Sequence, residues 1–176
     1  MSAAIRPATA ADAACVAALG LQVWLDTYTL EGIRPALADY ALGRFTPANV
    51  LGWLADPVRA LWVAEGEGGH LLGYLLLVAG TDSGTAAVDG LEVETLYVSR
   101  HAHRQGVGRR LLAAGDRVAA ARGEPALWLT TWHRNAAALA FYAACGFERV
   151  GLAYFLLEGE RHLNHLLRRP LGDGGA

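Results

Sequence analysis

Hydrophobic positions recur along the chain at helical spacing in some stretches and at extended spacing in others. A helix is predicted over about residues 10–23, where Val16, Leu19 and Val23 share one face. Residues 71–79 are nearly continuous in apolar side chains, so we expect that strand to be covered on both faces. The other predicted elements are, in chain order, an edge strand at 5–7, helices at 34–43 and 47–55, strands at 60–65 and 88–98, a helix at 107–121, a strand at 126–131, a helix at 135–145, and strands at 147–157 and 161–167.

Local residues set the ends of several of these elements. Thr9 followed by Asp12 has the spacing of a capping box, and Gly146 follows the last predicted helix as a C-cap. Because a strand–helix–strand unit usually returns beside its first strand, we expect the strand at 126–131 to lie next to the one at 88–98. The helix between them carries one apolar stripe, made of Val107, Leu111, Ala114, Val118 and Ala121.

Length and composition favour one globular domain. The chain has 176 residues, of which 53% are hydrophobic and 18% charged, and these values suit a folded core. We expect residues 1–170 to form a single domain and residues 171–176 to be a disordered tail. Cys15 and Cys145 lie in apolar helical patterns, which predicts buried free thiols, and no residues have the spacing of a metal site.

Charge and targeting signals narrow the class of protein further. No apolar run reaches the roughly 18 residues of a membrane span, and Asp12 interrupts the alanine-rich start, so we predict a cytoplasmic protein that binds no membrane. The formal net charge of −2 is too balanced for a nucleic-acid-binding protein. Residues 1–100 hold 11 acidic residues and 5 arginines, whereas residues 101–176 hold 6 and 10. This division favours a cationic ligand for residues 1–100 and an anionic ligand for residues 101–176. The alternative is that the charged side chains of both parts are merely solvated.

The sequence HRQGVGRRLL, at residues 103–112, joins the strand predicted at 88–98 to the following helix. A strand, a glycine loop and a helix in this order turn backbone N–H groups toward an anion, and the helix dipole favours negative charge there. Gly106 and Gly108 have no side chains, so a phosphate group can approach the backbone closely. The loop has neither the Walker lysine nor the third glycine of the dinucleotide fingerprint, and taken alone it is equally compatible with a plain turn.

A second candidate lies on the helix predicted at 135–145. Asn135 and Tyr142 are seven residues apart, so two helical turns bring them to one side, about 10 Å apart along the axis. Ala138 lies between them and is small, which leaves room for a ligand held by the amide at one end and the hydroxyl at the other. The alternative is an N-cap asparagine and an ordinary half-buried tyrosine.

Taken together, these motifs resemble the GCN5-related N-acetyltransferase (GNAT) superfamily. The similarity covers roughly residues 88–150 in order and spacing. It rests on the sequences LYV at 96–98, QGVGRRLL at 105–112, WL at 128–129 and NxxAxxFYxxxGF at 135–147. The resemblance implies an α+β fold of three layers, α/β/α, in which a mixed, mostly antiparallel, twisted sheet splays between its fourth and fifth strands.

The same resemblance implies acetyl-CoA as the donor, no metal, and a primary amine as the acceptor: a small amine, a polyamine or a peptide N-terminus. The family's pyrophosphate loop corresponds to residues 103–108, although His103 stands where the family usually has arginine or glutamine. Tyr142 would protonate the leaving thiolate, and the pantetheine arm would pair with the strand backbone near residues 96–98. The cofactor-binding residues implied are Leu96, Tyr97, Val98, His103, Arg104, Gln105, Gly106, Val107, Gly108, Arg109, Asn135, Ala138 and Tyr142.

The acceptor side is predicted from fewer residues. Glu92 and Glu94 share one face of the predicted strand, and either could take the proton of the amine, directly or through water. We favour Glu94, because it is nearer the expected splay. Trp24 and Tyr28 lie in the segment that usually forms the acceptor wall in this family. A non-catalytic coenzyme-A-binding sensor on the same fold is the alternative function, and a homodimer is left open.

Overall fold

The structure is a computed structural model that describes residues 3–83, 88–157 and 159–172, and that part contains five α-helices and seven strands. The helices are α1 (Ala13–Tyr28), α2 (Pro35–Arg44), α3 (Pro47–Ala55), α4 (Val107–Ala121) and α5 (Ala136–Ala144). The strands are β1 (Ala4–Pro7), β2 (Arg59–Glu65), β3 (Leu71–Val78), β4 (Leu91–Val98), β5 (Ala126–Trp132), β6 (Glu148–Leu157) and β7 (Glu160–Pro170). Short 3₁₀ turns cover Ala10–Asp12, Glu67–Gly69 and Arg100–Ala102. None of the helices in the described ranges is long and apolar enough to span a membrane.

The strands form one mixed sheet in the order β1-β2-β3-β4-β5-β7-β6. β4 and β5 are parallel, whereas the pairs β1–β2, β5–β7 and β6–β7 are antiparallel. The α+β fold is therefore confirmed, as is the return of β5 beside the strand that precedes the glycine loop. The parallel pairing joins Leu91 with Leu127 and Glu92 with Trp128, and both strands run on past these pairs.

The chain forms two compact units, of residues 1–76 with 95–114 and of residues 77–94 with 115–176. The boundaries fall within β3, β4 and α4, so each of these elements contributes to both units. In the first unit, α1 and α3 bury one face of β2 and β3; its main core consists of Val16, Leu19, Val50, Trp53, Leu61, Val63, Tyr74 and Leu76. In the second unit, the buried residues of the strands include Leu127, Trp128, Leu129, Leu157, Leu166 and Leu167.

The start of the chain follows the sequence prediction closely. β1 lies at the edge of the sheet and ends at Pro7, which has no N–H to donate to a ladder. The Asp12 carboxylate accepts the backbone N–H of Thr9 at 2.8 Å and the Thr9 hydroxyl at 3.0 Å. The same carboxylate accepts two hydrogen bonds from Arg6, each of 2.8 Å, so it ties β1 to the start of α1.

Several boundaries differ from the prediction. α1 continues to Tyr28 instead of ending near residue 23: the rings of Trp24 and Tyr28, one turn apart, are in contact, and the Thr29 N–H donates to the Leu25 carbonyl at 3.1 Å. The strand before the loop begins at Leu91, after Gly90, whose φ of +128° is a turn conformation; residues 84–87 lie outside the described part. β7 extends to Pro170, and the Leu171 N–H donates to a backbone carbonyl at 3.0 Å. The remainder of the predicted tail, residues 173–176, also lies outside the described part.

The prediction of buried thiols is wrong for Cys15, which is exposed, while Cys145 is half-buried. Both are free cysteines. Cys15 stands between Ala14 and Val16 in an alanine-rich part of α1, and the buried face is formed by neighbours such as Ala13, Val16 and Ala17. The apolar stripe of α4 is correct from Val107 to Ala114, but Ala121 is exposed where the helix ends.

Candidate active site

The backbone of the loop after β4 is shaped before α4 begins. The 3₁₀ turn Arg100–Ala102 is followed by two residues in the left-handed conformation, Arg104 at φ +61° and Gly106 at φ +77°. The Arg110 N–H donates to the Gly106 carbonyl at 3.1 Å. The N–H groups earlier in the first turn of a helix have no helical acceptor, so they are available to an external one. A helix N-terminus favours an anion, so this loop is a candidate phosphate-binding segment.

Two side chains of this loop bond back to the segment that precedes it. The Nε2 atom of His103 lies 3.0 Å from the Val98 carbonyl oxygen. Since a carbonyl oxygen only accepts, this ring nitrogen carries the hydrogen. Gln105 Nε2 donates to the His101 carbonyl at 2.8 Å. His103, which departs from the family pattern, therefore has a local partner in the strand.

Space around Gly106 is open: a Cβ atom built on it would meet no heavy atom within 4 Å. The constraint that remains is conformational, because a φ of +77° is one that residues with a Cβ rarely adopt.

β4 is approached very closely by β3 in the first unit. A Cβ atom on Gly73 would lie 2.7 Å from the Tyr97 carbonyl oxygen and 3.2 Å from the Val98 Cα. Ser99, the residue directly after β4, donates its N–H to the Leu72 carbonyl at 2.8 Å. The Tyr97 ring packs edge-on against Tyr74, with ring centroids 5.7 Å apart. The strand that is expected to pair with the pantetheine arm is thus packed directly against β3.

Glu92 and Glu94 alternate along β4 with the buried residues Leu91, Val93 and Thr95. Both glutamates are half-buried, and they share one face of the strand, as predicted. Glu92 is in register with Trp128 of β5, so it lies where the parallel pairing is formed, and Glu94 follows two residues later.

An aromatic cluster in the first unit contains both predicted acceptor-wall residues. The ring of Trp24 lies 5.1 Å from the ring of Tyr28 and 5.1 Å from the ring of Tyr40, centroid to centroid. Trp24 is buried, whereas both tyrosines are half-buried. Burial raises the pKa of Tyr28 to about 12, with a smaller contribution from Tyr40, so its hydroxyl stays protonated at neutral pH. Tyr40 was not predicted, because its place beside Trp24 depends on how α2 packs on α1.

In the second unit, α5 begins and ends with defined local contacts. Asn135 is the N-cap, and its side-chain oxygen accepts the Ala138 N–H at 3.1 Å. Tyr142 is 8% exposed, with its ring between those of Phe141 and Phe147, at centroid distances of 5.3 and 5.5 Å. The Asn135 oxygen is thus used within the helix, which agrees with the cap alternative for that atom. Tyr142 is more deeply buried than an ordinary half-exposed helical tyrosine.

The predicted residues divide between the two units. The first contains Leu96, Tyr97, Val98, His103, Arg104, Gln105, Gly106, Val107, Gly108, Arg109, Trp24 and Tyr28. The second contains Glu92, Glu94, Asn135, Ala138 and Tyr142. In the described part of the chain, no three His, Cys, Asp or Glu side chains come together as metal ligands would. Sequence reasoning missed two residues, Gly73 and Arg169. A glycine inside an apolar strand can signal the close approach of another backbone, but nothing in the sequence marks Arg169.

The mixed sheet and the glycine loop after β4, together with the matching family model, identify the class of the protein as an acyl-CoA-dependent acetyltransferase. The chain belongs to the GNAT family, because the family model described as "Acetyltransferase (GNAT) family" matches residues 23–147. That match begins near the end of α1 and includes the glycine loop and α5, the helix at Asn135 and Tyr142.

Individual relatives agree with this assignment. The chain is 26% identical over 156 residues to an "Uncharacterized N-acetyltransferase in pepI 3'region" of Lactobacillus delbrueckii subsp. lactis, which covers 88% of this chain and 89% of that protein. It is 38% identical over 113 residues to "Probable N-acetyltransferase 14" of Homo sapiens, covering 54% of this chain and 53% of the human protein. The aligned region thus spans about half the length of the human relative.

A solved structure shows the same fold. The PaiA N-acetyltransferase of Thermoplasma acidophilum, crystallised in complex with coenzyme A, superposes with a TM-score of 0.78. The alignment covers 97% of this chain and 99% of that one, at 14% identity. At this identity the likeness establishes the fold and carries no information on the acceptor.

Proposed function

We propose that this acetyltransferase moves the acetyl group of acetyl-CoA to the nitrogen of a primary amine by direct attack while donor and acceptor are both bound. The acceptor would be a small amine, a polyamine or a peptide N-terminus. The observation that carries the proposal is the loop before α4, where Arg104 and Gly106 are in the left-handed conformation directly before the N-terminus of a helix, the end of a helix that favours an anion.

Donor binding is proposed to use backbone atoms of the first unit. The N–H groups from about residue 104 to 109 would bind the pyrophosphate, and the backbone of β4 near Val98 would pair with the pantetheine arm. The Val98 carbonyl already accepts from His103 at 3.0 Å, but a carbonyl oxygen has two lone pairs and can accept a second donor. Gly73 supports this role, since the close approach of β3 fixes the position of Val98.

The proposed reaction removes one proton from the amine and gives one proton to the leaving thiolate. Acetyl-CoA supplies an activated thioester. The amine nitrogen attacks the thioester carbonyl carbon, so a C–N bond forms and the C–S bond breaks. Glu94 takes the proton that the nitrogen loses, directly or through water, and Tyr142 gives its phenolic proton to the departing thiolate. The N–H of Val98 is our candidate donor to the carbonyl oxygen as charge develops there.

Replacement of Tyr142 by phenylalanine tests the acid role. The change keeps the ring that Phe141 and Phe147 contact and removes only the hydroxyl, so we expect kcat to fall roughly 10²-fold with little change in donor affinity. Release of free thiol with a panel of amines measures kcat, and isothermal titration measures the donor Kd. Tyr154→Phe is the matched control, because Tyr154 is 50% exposed on β6. Equal turnover by wild type and Tyr142→Phe would mean that the thiolate leaves without this acid. No turnover by the wild type with any amine would favour the non-catalytic sensor.

A pair of glycine substitutions tests the loop. Gly106→Ala and Gly123→Ala each place a side chain at a positive φ, +77° and +72°, and neither new Cβ meets an atom within 4 Å. Both should lower stability by about 1 kcal/mol, because the conformational cost is the same. Only Gly106→Ala should weaken acetyl-CoA binding, and titration of both variants measures this. Equal affinity in the two variants would contradict the loop assignment.

The acceptor is proposed to be cationic before it loses its proton. Residues 1–100 carry 11 acidic residues against 5 arginines, and this excess would attract an ammonium group to acidic side chains of that part of the sequence. The kcat/KM for the amine should fall as salt rises, because exposed charges are screened within about 10 Å at 0.1 M. Glu94→Gln should lower the rate near neutral pH and recover in part at higher pH, where more amine is neutral. A salt-independent preference for uncharged aromatic amines would refute the steering, and a flat response to Glu94→Gln would assign the base to Glu92 or solvent.

A further inference from the structure

We propose that Arg169, on β7, is a positioning residue for Tyr142. The inference rests on the proposed acid role of Tyr142. Arg169 Nη1 donates to the Cys145 carbonyl at 2.9 Å, and Nη2 donates to the Asp116 carboxylate at 2.5 Å. Its guanidinium carbon lies 4.8 Å from the centre of the Phe147 ring. One side chain therefore joins α4, β7 and the end of α5, all within the second unit.

The contacts of Arg169 continue directly to Tyr142. The Tyr142 carbonyl accepts the N–H of Cys145 and the N–H of Phe147, each at 3.0 Å. The ring of Phe147 lies 5.5 Å from the ring of Tyr142, at 67°. Arg169 thus holds both residues that bond the tyrosine backbone, and also the ring that packs against its side chain. Loss of the guanidinium would free the turn that fixes the direction of the phenol.

The surroundings of this helix end favour an arginine. The last carbonyls of a helix have no helical donors, and a positive charge is favourable there. Gly146 ends α5 at φ +84°, and its Cβ position would lie 3.5 Å from Arg169 Cδ, so the side chain passes over the turn in contact with it. The Asp116 carboxylate accepts a hydrogen bond from Nη2, the second terminal nitrogen of the guanidinium. A lysine has a single nitrogen and cannot bond Asp116 and the carbonyl in the same geometry while it covers the Phe147 ring.

The chain supplies a matched control in the adjacent residue. Arg168 comes directly before Arg169 on β7, so its side chain points to the opposite face of the strand. It bonds the Asp89 carboxylate at 2.7 Å, whereas Arg169 bonds the Cys145 carbonyl at the end of α5. We expect Arg169→Met to lower kcat roughly tenfold, because small displacements of a reacting group are costly, and Arg169→Lys to lower it severalfold. Arg168→Met should leave kcat within about twofold of wild type. The donor Kd of all three variants should be unchanged, because the proposed loop lies in the first unit.

A double variant separates a positioning role from a general structural one. In the Tyr142→Phe background there is no phenol to position, so Arg169→Met should lower the rate by less than about twofold. Hydrogen exchange should also become faster at the Cys145 and Phe147 amides in Arg169→Met, but not in Arg168→Met. If Arg169→Met does not fold, Arg169→Lys carries the same comparison.

The outcomes distinguish this inference from the proposed function. A tenfold loss in both backgrounds, or a donor Kd that rises in step with the loss of kcat, would overturn the positioning role while the acid role of Tyr142 stands. Full turnover by Tyr142→Phe alone would overturn the acid role, and with it the role of Arg169 in catalysis.

Discussion

Gly73→Ala adds one methyl group at the point where β3 approaches β4 most closely. The new Cβ would lie 2.7 Å from the Tyr97 carbonyl oxygen and 3.2 Å from the Val98 Cα. Because both contacts are with backbone atoms, no side chain can rotate away, and β4 itself has to move by several tenths of an ångström. The residues that would be displaced are those proposed to pair with the pantetheine arm.

The magnitude follows from two opposing effects. Overpacking a buried site costs about 1–3 kcal/mol, and a contact with backbone belongs near the upper value. Replacing glycine by alanine stabilises by roughly 0.4–1 kcal/mol, because the unfolded chain loses conformational freedom. The net loss in the free energy of unfolding should therefore be about 2 kcal/mol. For a chain of this length, that corresponds to a fall of about 4–8 °C in Tm. Displacement of Val98 should also weaken acetyl-CoA binding, by roughly tenfold.

Thermal melting, urea unfolding and titration with acetyl-CoA measure these effects. The matched control is Gly52→Ala in α3, where a Cβ would meet no atom within 4 Å and φ is not positive. That substitution should raise stability by about 0.5–1 kcal/mol and leave donor affinity unchanged. If Gly73→Ala melts with the wild type and binds the donor normally, then β3 and β4 are not as close as the Gly73–Tyr97 contact requires, and β4 is not held as we describe.

Three further predictions concern other contacts. Hydrogen bonds from Arg6 hold the pKa of Asp12 well below its usual range, so the stability gained is present above the unfolded pKa near 4 and is lost as pH falls through the lower folded value. Urea unfolding should therefore show Asp12→Asn less stable by about 2 kcal/mol at pH 7, with a smaller difference below about pH 4. His103→Ala should leave acetyl-CoA affinity within about threefold of wild type in titrations, since the His103 side chain bonds a strand carbonyl and the proposed phosphate site consists of backbone N–H groups. Gly90→Ala should lower Tm by at least about 6 °C, because φ is +128° and the new Cβ would lie 2.4 Å from the Ala126 carbonyl oxygen; a wild-type melting curve would refute that geometry.

The elements of this fold were predictable wherever hydrophobic spacing was unambiguous. β3 is a continuous apolar run, and its residues from Gly73 to Val78 are buried as expected. Cys15 shows where the pattern fails, because a helix rich in alanine has no strong contrast between its faces. The start of β4 was placed too early because Gly90 marks the change of direction, and a single glycine in a sequence does not reveal its φ.

The candidate site was predictable to the extent that it depends on local sequence. The loop and the spacing of Asn135 and Tyr142 are encoded in short motifs, and the structure gives both of them defined local geometry. The contacts that hold those motifs in place are not local. Arg169 lies 53 residues from Asp116 and 24 from Cys145, and no periodicity relates residues that far apart.

Arg104 has a consequence for how this protein can change over evolutionary time. Among the described residues it is the one with a Cβ at a positive φ, and such a conformation costs about 1 kcal/mol whether or not a ligand is bound. The proposed phosphate-binding loop is thus shaped by folding, and entropy that a flexible loop would lose on binding is already lost on folding. Substitutions at position 104 that relax this residue should make the protein more robust to heat. We expect the same substitutions to make it a poorer acetyl-CoA binder, so selection for robustness and selection for affinity oppose each other at this position.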